Sequence, residues 1–167
     1  MQITRASDYA VRVMIHLAGL PPGAQVRQSE LSEATEVSSH FLSKVLQQLV
    51  RARFIRSRRG SRGGFALAVL ASNVSLLDVV EAIEGPLRLN QCINEDPSCD
   101  RKSWCPAHRV WADAQAAIVN VLGATSMAVL ATQAGNMTYP LHEKPVWISG
   151  AHEKRNVKQS RSDGRQV

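Results

Sequence analysis

Several kinds of motif are missing from this sequence, and their absence narrows the classes of function. There is no Cys-x-x-Cys redox pair, no motif of paired carboxylates and no glycine-rich phosphate loop, so a thiol-dependent or metal-dependent enzyme is a poorly supported alternative. No stretch approaches the roughly 18 consecutive apolar residues that cross a bilayer. The opening of the chain shows no basic segment followed by an apolar one, as a secretion signal would. We therefore expect a cytoplasmic protein that is not an enzyme and has no membrane partner.

Cysteine is scarce, and all three cysteines of the 167-residue chain fall in one short segment. Six residues separate Cys92 from Cys99, five separate Cys99 from Cys105, and His108 follows three positions later. An odd number of cysteines argues against a framework of structural disulfides. The clustering instead predicts a loop of metal ligands.

The spacing of these thiols bears on the kind of metal site. Thiolates are soft ligands that suit iron-sulfur clusters or zinc. Structural zinc sites typically have two to four residues between paired cysteines, and this loop has no such short pair. The wider spacing favours an iron-sulfur cluster. Because a fourth cysteine is lacking, another residue must complete the ligand set, and such a position exchanges its ligand more readily, as a sensor requires.

Basic charge is unevenly distributed along the chain, whose formal net charge is +6. Residues 1–68 contain ten Lys and Arg against four Asp and Glu, residues 69–135 contain four against seven, and residues 136–167 contain six against three. The excess of basic residues in the N-terminal part predicts a polyanionic partner there. The segment after residue 134 is poor in apolar residues toward its end and is predicted to be a disordered basic tail.

Two helices joined by a tight turn are predicted within this basic part, after a first helix capped by Ser7. The first of the pair runs over about residues 28–34, and the second begins at Ser38 or Ser39 and reaches about Ala52. Apolar residues at helical spacing give the second helix a buried stripe and leave a polar, basic face exposed, as in a helix-turn-helix that enters the major groove of DNA. The stripe consists of Leu42, Val45, Leu46 and Leu49. The residues predicted to contact DNA are Ser39, His40, Ser43, Lys44, Gln47 and Arg51.

A basic hairpin is predicted directly after the helix-turn-helix, with strands at residues 54–57 and 64–67. Its tip is rich in glycine, which lets the backbone approach a surface closely, and in arginine, which suits a narrow, electronegative minor groove. A solvent-exposed basic hairpin is the alternative, and the preceding helix-turn-helix favours a DNA-binding wing. The wing residues predicted to contact DNA are Arg58, Arg59, Ser61, Arg62 and Gly63.

Two further helices complete the predicted fold. Ser75, with Asp78 three residues later, forms a capping pair for a helix that stops at Gly85-Pro86. Pro106 suits the first position of a long helix that keeps its apolar period to about Thr132. Its roughly 25 residues would span about 38 Å, so we expect the same helix of a second subunit to cover its apolar stripe.

The expected fold is therefore mainly α with a small β-hairpin wing. We predict a winged helix-turn-helix DNA-binding domain over residues 1–85 and a cysteine-rich, cluster-binding loop over 86–105. A dimerisation helix follows over 106–134, and the tail occupies 135–167.

Four segments resemble the winged-helix transcriptional regulators that include IscR, NsrR and CymR, in particular their iron-sulfur-binding branch. The resemblance covers about residues 1–132 and lies outside the tail. The segments are Ile3 to Arg12 with Ser7-Asp8-Tyr9-Ala10, the recognition helix Phe41-Leu42-Ser43-Lys44-Val45-Leu46, the wing Arg59-Gly60-Ser61-Arg62-Gly63-Gly64-Phe65, and Leu77-Asp78-Val79-Val80-Glu81-Ala82-Ile83-Glu84-Gly85.

This resemblance implies a homodimeric bacterial transcription factor, usually a repressor, on a pseudo-palindromic site in double-stranded DNA. It also implies a cluster on Cys92, Cys99 and Cys105, either 2Fe-2S or 4Fe-4S. The fourth ligand would be His108, as in the IscR-like pattern, or Asp8, as in NsrR-like members. The six-residue first gap departs from the five-residue gap typical of IscR. The cluster would sense redox state, nitric oxide or cluster supply. A repressor with a zinc site or a metal-free thiol switch is the alternative.

Overall fold

Six α-helices and one two-stranded hairpin make up the part of the chain that this computed structural model describes, which comprises residues 3–60, 63–93 and 99–136. No helix in those ranges is both long enough and apolar enough to cross a membrane. The elements in chain order are α1 (Arg5–Ala18), α2 (Gln28–Thr35), α3 (Ser39–Arg51), β1 (Ile55–Arg58), β2 (Gly64–Leu67), α4 (Leu76–Glu84), α5 (Pro106–Gly123) and α6 (Met127–Asn136), with short 3-10 turns at Ala71–Asn73 and Gln91–Ile93.

The core is built from the apolar faces of the helices of the winged helix-turn-helix. All four residues of the α3 stripe are buried, as are the residues of α1 that recur at helical spacing. Helical periodicity therefore identified the buried face of α3 correctly, and α1 shows the same spacing. The α1 residues are Ala10, Val13, Met14 and Leu17.

The first helix begins earlier than Ser7, so the predicted cap is wrong. Thr4 has extended backbone angles and is the N-cap residue, and its hydroxyl accepts a hydrogen bond from the backbone N–H of Ala6 at 3.2 Å. Ser7 instead lies inside α1, fully buried, and donates to the carboxylate of Glu84 at 2.5 Å. Its hydroxyl thus connects two helices.

The turn of the helix-turn-helix is closed by local hydrogen bonds. Glu36 adopts a left-handed conformation with φ of 56°, which ends α2. Val37 then turns inward, its N–H donates to the carbonyl of Ser32 at 3.2 Å, and its carbonyl accepts from the Ser32 hydroxyl at 2.6 Å. Ser38 is the N-cap residue of α3 but its side chain makes no capping hydrogen bond.

The wing is an antiparallel hairpin that begins one residue later than predicted. Ile55 pairs with Leu67, and Arg58 pairs with Gly64. Val26 adds a further bridge, because its N–H and carbonyl both bond to Phe65, at 2.9 and 2.8 Å. Gly64 has φ of 156°, and a Cβ there would lie 2.5 Å from the carbonyl oxygen of Val26. This close approach requires glycine.

The single long helix predicted over residues 106–132 is wrong, because the chain turns between Gly123 and Met127. The N–H of Leu76 donates to the carbonyl of Thr125, and the N–H of Met127 donates to the carbonyl of Val74, both at 2.8 Å. Met127 is fully buried, and α6 packs back against α1. The remaining α5 has 18 residues, about 27 Å at 1.5 Å per residue.

Candidate DNA-binding surface and thiol loop

The outer face of α3 carries the side chains predicted to contact DNA. Because the apolar stripe faces the core, the opposite side of the helix is left to solvent. Ser43 alone among the predicted contacts of this helix is half-buried. The exposed members are Ser39, His40, Lys44, Gln47 and Arg51.

Ser43 is held by a residue that the sequence analysis did not select. The side-chain amide of Gln28, the first residue of α2, donates to the hydroxyl of Ser43 at 2.7 Å and to the carbonyl of Ser39 at 2.9 Å. The hydroxyl of Ser43 donates in turn to the carbonyl of Ser39 at 2.9 Å. Gln28 therefore links the two helices of the helix-turn-helix at their N-terminal ends. Polar residues are common at the start of a helix, so nothing in the sequence singled out Gln28.

Phe41 is an apolar residue on this otherwise polar face, and it is 50% exposed. Its ring contacts that of Tyr9 edge-on, with 6.1 Å between centroids, and that of His40 with 6.5 Å between centroids. These contacts fix the first turn of α3 against α1. The sequence signal was an aromatic residue outside the apolar period.

The wing presents Arg58 and Arg59 as exposed side chains. Gly63 is half-buried, and its N–H donates to the carbonyl of Gly60 at 2.9 Å, which closes the base of the tip. A Cβ on Gly63 would lie 2.2 Å from the carbonyl oxygen of Arg58, so this glycine is required by packing. Ser61 and Arg62 lie outside the described residues.

A groove of about 400 Å³ lies between α3 and the wing. Its walls are polar toward solvent and apolar at the base. The groove is flanked by the exposed face of α3 and by the hairpin that carries Arg58 and Arg59, so the positive charge expected to attract DNA phosphates lies beside it. It is lined by Gln28, Ser43, Leu46, Gln47, Val50, Arg51, Ser57 and Phe65.

The thiol loop leads from α4 to α5. Cys92 lies in the second 3-10 turn, Cys105 is the N-cap residue of α5, and all three cysteines have free, half-buried thiols. Residues 94–98 lie outside the described part of the chain. Within the described part, no group of three Cys, His, Asp or Glu residues lies close enough together to hold a metal ion.

Both ends of this loop are anchored by hydrogen bonds. The N–H of Leu87, a buried residue, donates to the carboxylate of Glu81 at 2.9 Å, and the N–H of Leu89 donates to the side chain of Gln115 at 3.0 Å. At the other end, the N–H of Cys105 donates to the carbonyl of Arg101 at 2.8 Å. The loop is therefore attached to α4 and α5 together.

His108 lies one turn into α5, and its N–H donates to the carbonyl of Cys105 at 3.1 Å. Its ring atom Nδ1 is buried and has no hydrogen-bond partner among the described residues. An unpartnered buried polar atom costs about 1–3 kcal/mol. An imidazole nitrogen in this state, next to a cysteine, fits the donor set of a metal centre.

Asp8, the other predicted ligand, is exposed on α1 and forms an ion pair with Arg12 at 2.9 Å. The guanidinium of Arg12 also donates to the carbonyl of Thr35 at 3.4 Å and lies 5.9 Å from the centre of the Tyr9 ring. Asp8 is thus paired with an arginine of its own helix that also contacts the end of α2.

The sequence matches a known protein family over most of its length. A model of the family Rrf2, described as an iron-dependent transcriptional regulator, matches residues 3–133. The chain belongs to the Rrf2 family. The protein is accordingly a DNA-binding transcriptional regulator and not an enzyme, and the predicted resemblance and fold class are confirmed.

Solved structures of other Rrf2-type regulators are similar to this chain. CymR of B. subtilis, described as the global cysteine regulator, is 25% identical with a TM-score of 0.67, and the match covers 80% of this chain and 98% of CymR. CymR of Staphylococcus aureus is 27% identical with a TM-score of 0.61, over 77% and 96% of the two chains. IscR of T. potens shares the fold at 20% identity and a TM-score of 0.64, over 89% and 96%.

The α5 helix of this Rrf2 chain has an apolar stripe of which no residue is fully buried by the described part of the chain. Val110 and Val121 are 65% and 67% exposed. The stripe residues are spaced by three and four, which is the spacing of helices that pair along their length. They are Ala107, Val110, Ala114, Ala117 and Val121.

Proposed function

We propose that the protein is a homodimeric cytoplasmic repressor whose affinity for a pseudo-palindromic operator is controlled by an iron-sulfur cluster. Cys92, Cys99 and Cys105 would hold the cluster, with His108 or Asp8 as the fourth ligand. The observation that carries this proposal is the buried, unpartnered Nδ1 of His108, one turn after the thiol of Cys105.

The geometry favours His108 over Asp8 as the fourth ligand. The carboxylate of Asp8 already has a partner in Arg12, whereas Nδ1 of His108 has none among the described residues. A cluster of either the 2Fe-2S or the 4Fe-4S type supplies one-electron redox chemistry and a site of attack for oxygen or nitric oxide. A fourth ligand other than thiolate would exchange more readily than the three thiolates.

The operator would be read by two copies of the chain. In each copy α3 enters the major groove, and Arg58 and Arg59 of the wing neutralise phosphate or enter the flanking minor groove. A two-fold dimer places two recognition helices on successive turns of one face of the duplex, which explains the expected pseudo-palindrome. The resemblance extends this contact to Ser61 and Arg62.

The apolar stripe of α5 supports the homodimer. Burial of Val110 and Val121 between two subunits would stabilise the dimer by roughly 25 cal/mol for each Å² of apolar surface removed from water. The helix is shorter than predicted from the sequence, yet its stripe is still unburied within the subunit. A second α5 would cover it, with small Ala residues allowing close approach of the two helices.

Hydrogen bonds connect the thiol loop to the helices of the winged domain. The loop is attached to Glu81 of α4 and Gln115 of α5, and α4 is attached to α1 through Glu84. A change in the ligation of the loop would therefore shift the winged domain relative to the dimer helix. A coupling of about 1–3 kcal/mol changes DNA affinity about 5- to 150-fold.

The proposal is tested by measuring iron, zinc and acid-labile sulfide per chain, with a visible spectrum, on protein purified without oxygen. Matching iron and sulfide are expected in the wild type. His108→Ala should lose them while Asp8→Ala and the control His16→Ala retain them. Loss only in Asp8→Ala would make that carboxylate the ligand, and absence of sulfide from the wild type would overturn the cluster.

A metal-free thiol switch in the same repressor is the second candidate. It is supported by the three free thiols and by the similarity to two solved proteins, CymR of B. subtilis, described as the global cysteine regulator, and CymR of Staphylococcus aureus, which was crystallised in an oxidised form. This candidate predicts no sulfide and a fall in titratable thiols when DNA affinity changes on oxidation. Zinc without sulfide would instead indicate a structural metal site.

A further inference from the structure

We propose that Gln28 and Ser43 together form a hydrogen-bond acceptor that reads an amino group in the major groove, so that Gln28 of α2 helps to determine which operator is bound. This inference depends on DNA binding and not on the cluster. It assigns a role in sequence recognition to a residue outside the recognition helix.

The orientation of the Gln28 side chain is fixed by its partners. A carbonyl oxygen accepts hydrogen bonds and cannot donate them, so the contact with the Ser39 carbonyl at 2.9 Å must come from the Nε2 side of the amide. The second Nε2 hydrogen reaches the Ser43 hydroxyl at 2.7 Å. Both amide hydrogens are then used, and no residue that the structure describes donates to the remaining oxygen, Oε1.

The hydroxyl of Ser43 is similarly restricted. Its hydrogen is given to the Ser39 carbonyl at 2.9 Å, and one lone pair accepts from Gln28. Only a lone pair remains for DNA. The Gln28 and Ser43 pair can therefore accept hydrogen bonds from a base but cannot donate one.

This chemistry limits the bases that can be recognised. In the major groove the donors are the N6 amino group of adenine and the N4 amino group of cytosine, whereas guanine offers only acceptors. A free glutamine reads adenine through both N6 and N7, but this requires a free amide hydrogen, which Gln28 lacks. We expect one operator position at which the contacted strand carries adenine or cytosine.

The location of the pair supports contact with DNA. Gln28 and Ser43 line the same groove as Gln47 and Arg51, both of which are exposed on the outer face of α3. Gln28 also lies at the N-terminal end of α2, where the helix dipole favours an approaching phosphate. A duplex seated against α3 and the wing would thus pass directly over this pair.

The test begins with selection of an operator from random duplex DNA by the full-length wild-type protein. Affinities are then measured for that operator and for duplexes in which single adenines or cytosines are replaced by analogues that lack the amino group. We expect one such position per half-site to cost the wild type about 5- to 10-fold in affinity. The same replacement should cost Gln28→Ala and Gln28→Met little, and the control Gln48→Ala as much as the wild type.

A purely structural role for Gln28 gives a different pattern. Gln28→Ala would then weaken binding to the operator and to unrelated DNA by one common factor, and removing the amino group would cost wild type and variant equally. That result overturns the proposal. Gln28→Met keeps the length of the side chain without a hydrogen-bond acceptor, so it provides the same comparison if Gln28→Ala does not fold.

Discussion

The carboxylate of Glu84, the last residue of α4, accepts a hydrogen bond from the hydroxyl of Ser7, a fully buried residue of α1, at 2.5 Å. The hydroxyl and N–H of Thr4 donate to the same oxygen. A carboxylate at the C-terminus of its own helix is disfavoured by the helix dipole, but here it also lies at the N-terminus of α1, where negative charge is favoured. Glu84 thus fastens α4, which leads into the thiol loop, to the first turn of α1.

We predict that Glu84→Gln destabilises the protein at neutral pH and much less in acid. The hydrogen bonds from the Ser7 and Thr4 hydroxyls lower the pKa of Glu84 below 4.5, its ordinary value. A lowered pKa in the folded state gives stability that is complete above the unfolded pKa and is lost as pH falls through the folded pKa. Denaturant unfolding of wild type and variant should differ by less than about 1 kcal/mol at pH 7, because solvent screens the exposed carboxylate, and should converge below pH 4.5. Glu33→Gln, at an exposed position on α2, is the control, and a difference that does not change with pH would contradict this account.

Substitutions should distinguish the buried face of α6 from its exposed face. Met127 is fully buried where α6 joins the core, so Met127→Ala should cost about 2–5 kcal/mol of unfolding free energy. Val129 is 47% exposed in the same helix, and Val129→Ala should cost less than about 1 kcal/mol. Chemical denaturation of both variants checks the expectation. Equal costs would mean that α6 does not pack on α1 as the structure has it.

The features of the fold that could be predicted from the sequence are those determined by residues only a few positions apart. The faces of α1 and α3, the turn between α2 and α3, and the Ser75 capping pair follow from spacing within a few residues, and the structure contains all of them. The break after α5 depends on hydrogen bonds to Val74 and Leu76, some fifty residues earlier in the chain. Periodicity alone continues through such a break, because the apolar spacing is nearly unchanged.

The same distinction applies to the candidate sites. The exposed residues of α3 were predictable, because they are what remains when the apolar stripe is buried. Gln28 was not, since its partners Ser39 and Ser43 lie in the next helix. Similarly, Ser7 has the residue type of an N-cap, but its partner Glu84 is 77 positions away. For the thiol loop the sequence supplied the residue types, and the arrangement of the ligands remains a prediction.

The apolar stripe of α5 should determine the oligomeric state. Val121→Asp places a charge at the C-terminal end of the proposed interface stripe, where it would be buried without a partner, a cost of several kcal/mol. We expect sedimentation to show a dimer for the wild type and a monomer for the variant, with circular dichroism unchanged. Asn120→Asp introduces the same charge at an exposed neighbouring position outside the stripe and should remain dimeric. A monomeric wild type would refute the interface.

Lys44 should contribute to DNA affinity through phosphate and not through base recognition. It is exposed on the outer face of α3, and its ammonium is a point charge without the planar fork of arginine. Each phosphate contact contributes about 0.9 to the slope of log affinity against log salt, so Lys44→Ala should lower that slope by about one such unit. Affinities for the selected operator and for unrelated DNA, measured from low to moderate salt, should fall by similar factors. As a control, Arg88→Ala removes an exposed positive charge after α4 and should leave the slope unchanged. If Lys44→Ala lowered the affinity for the operator but not for unrelated DNA, Lys44 would instead be a base-reading residue.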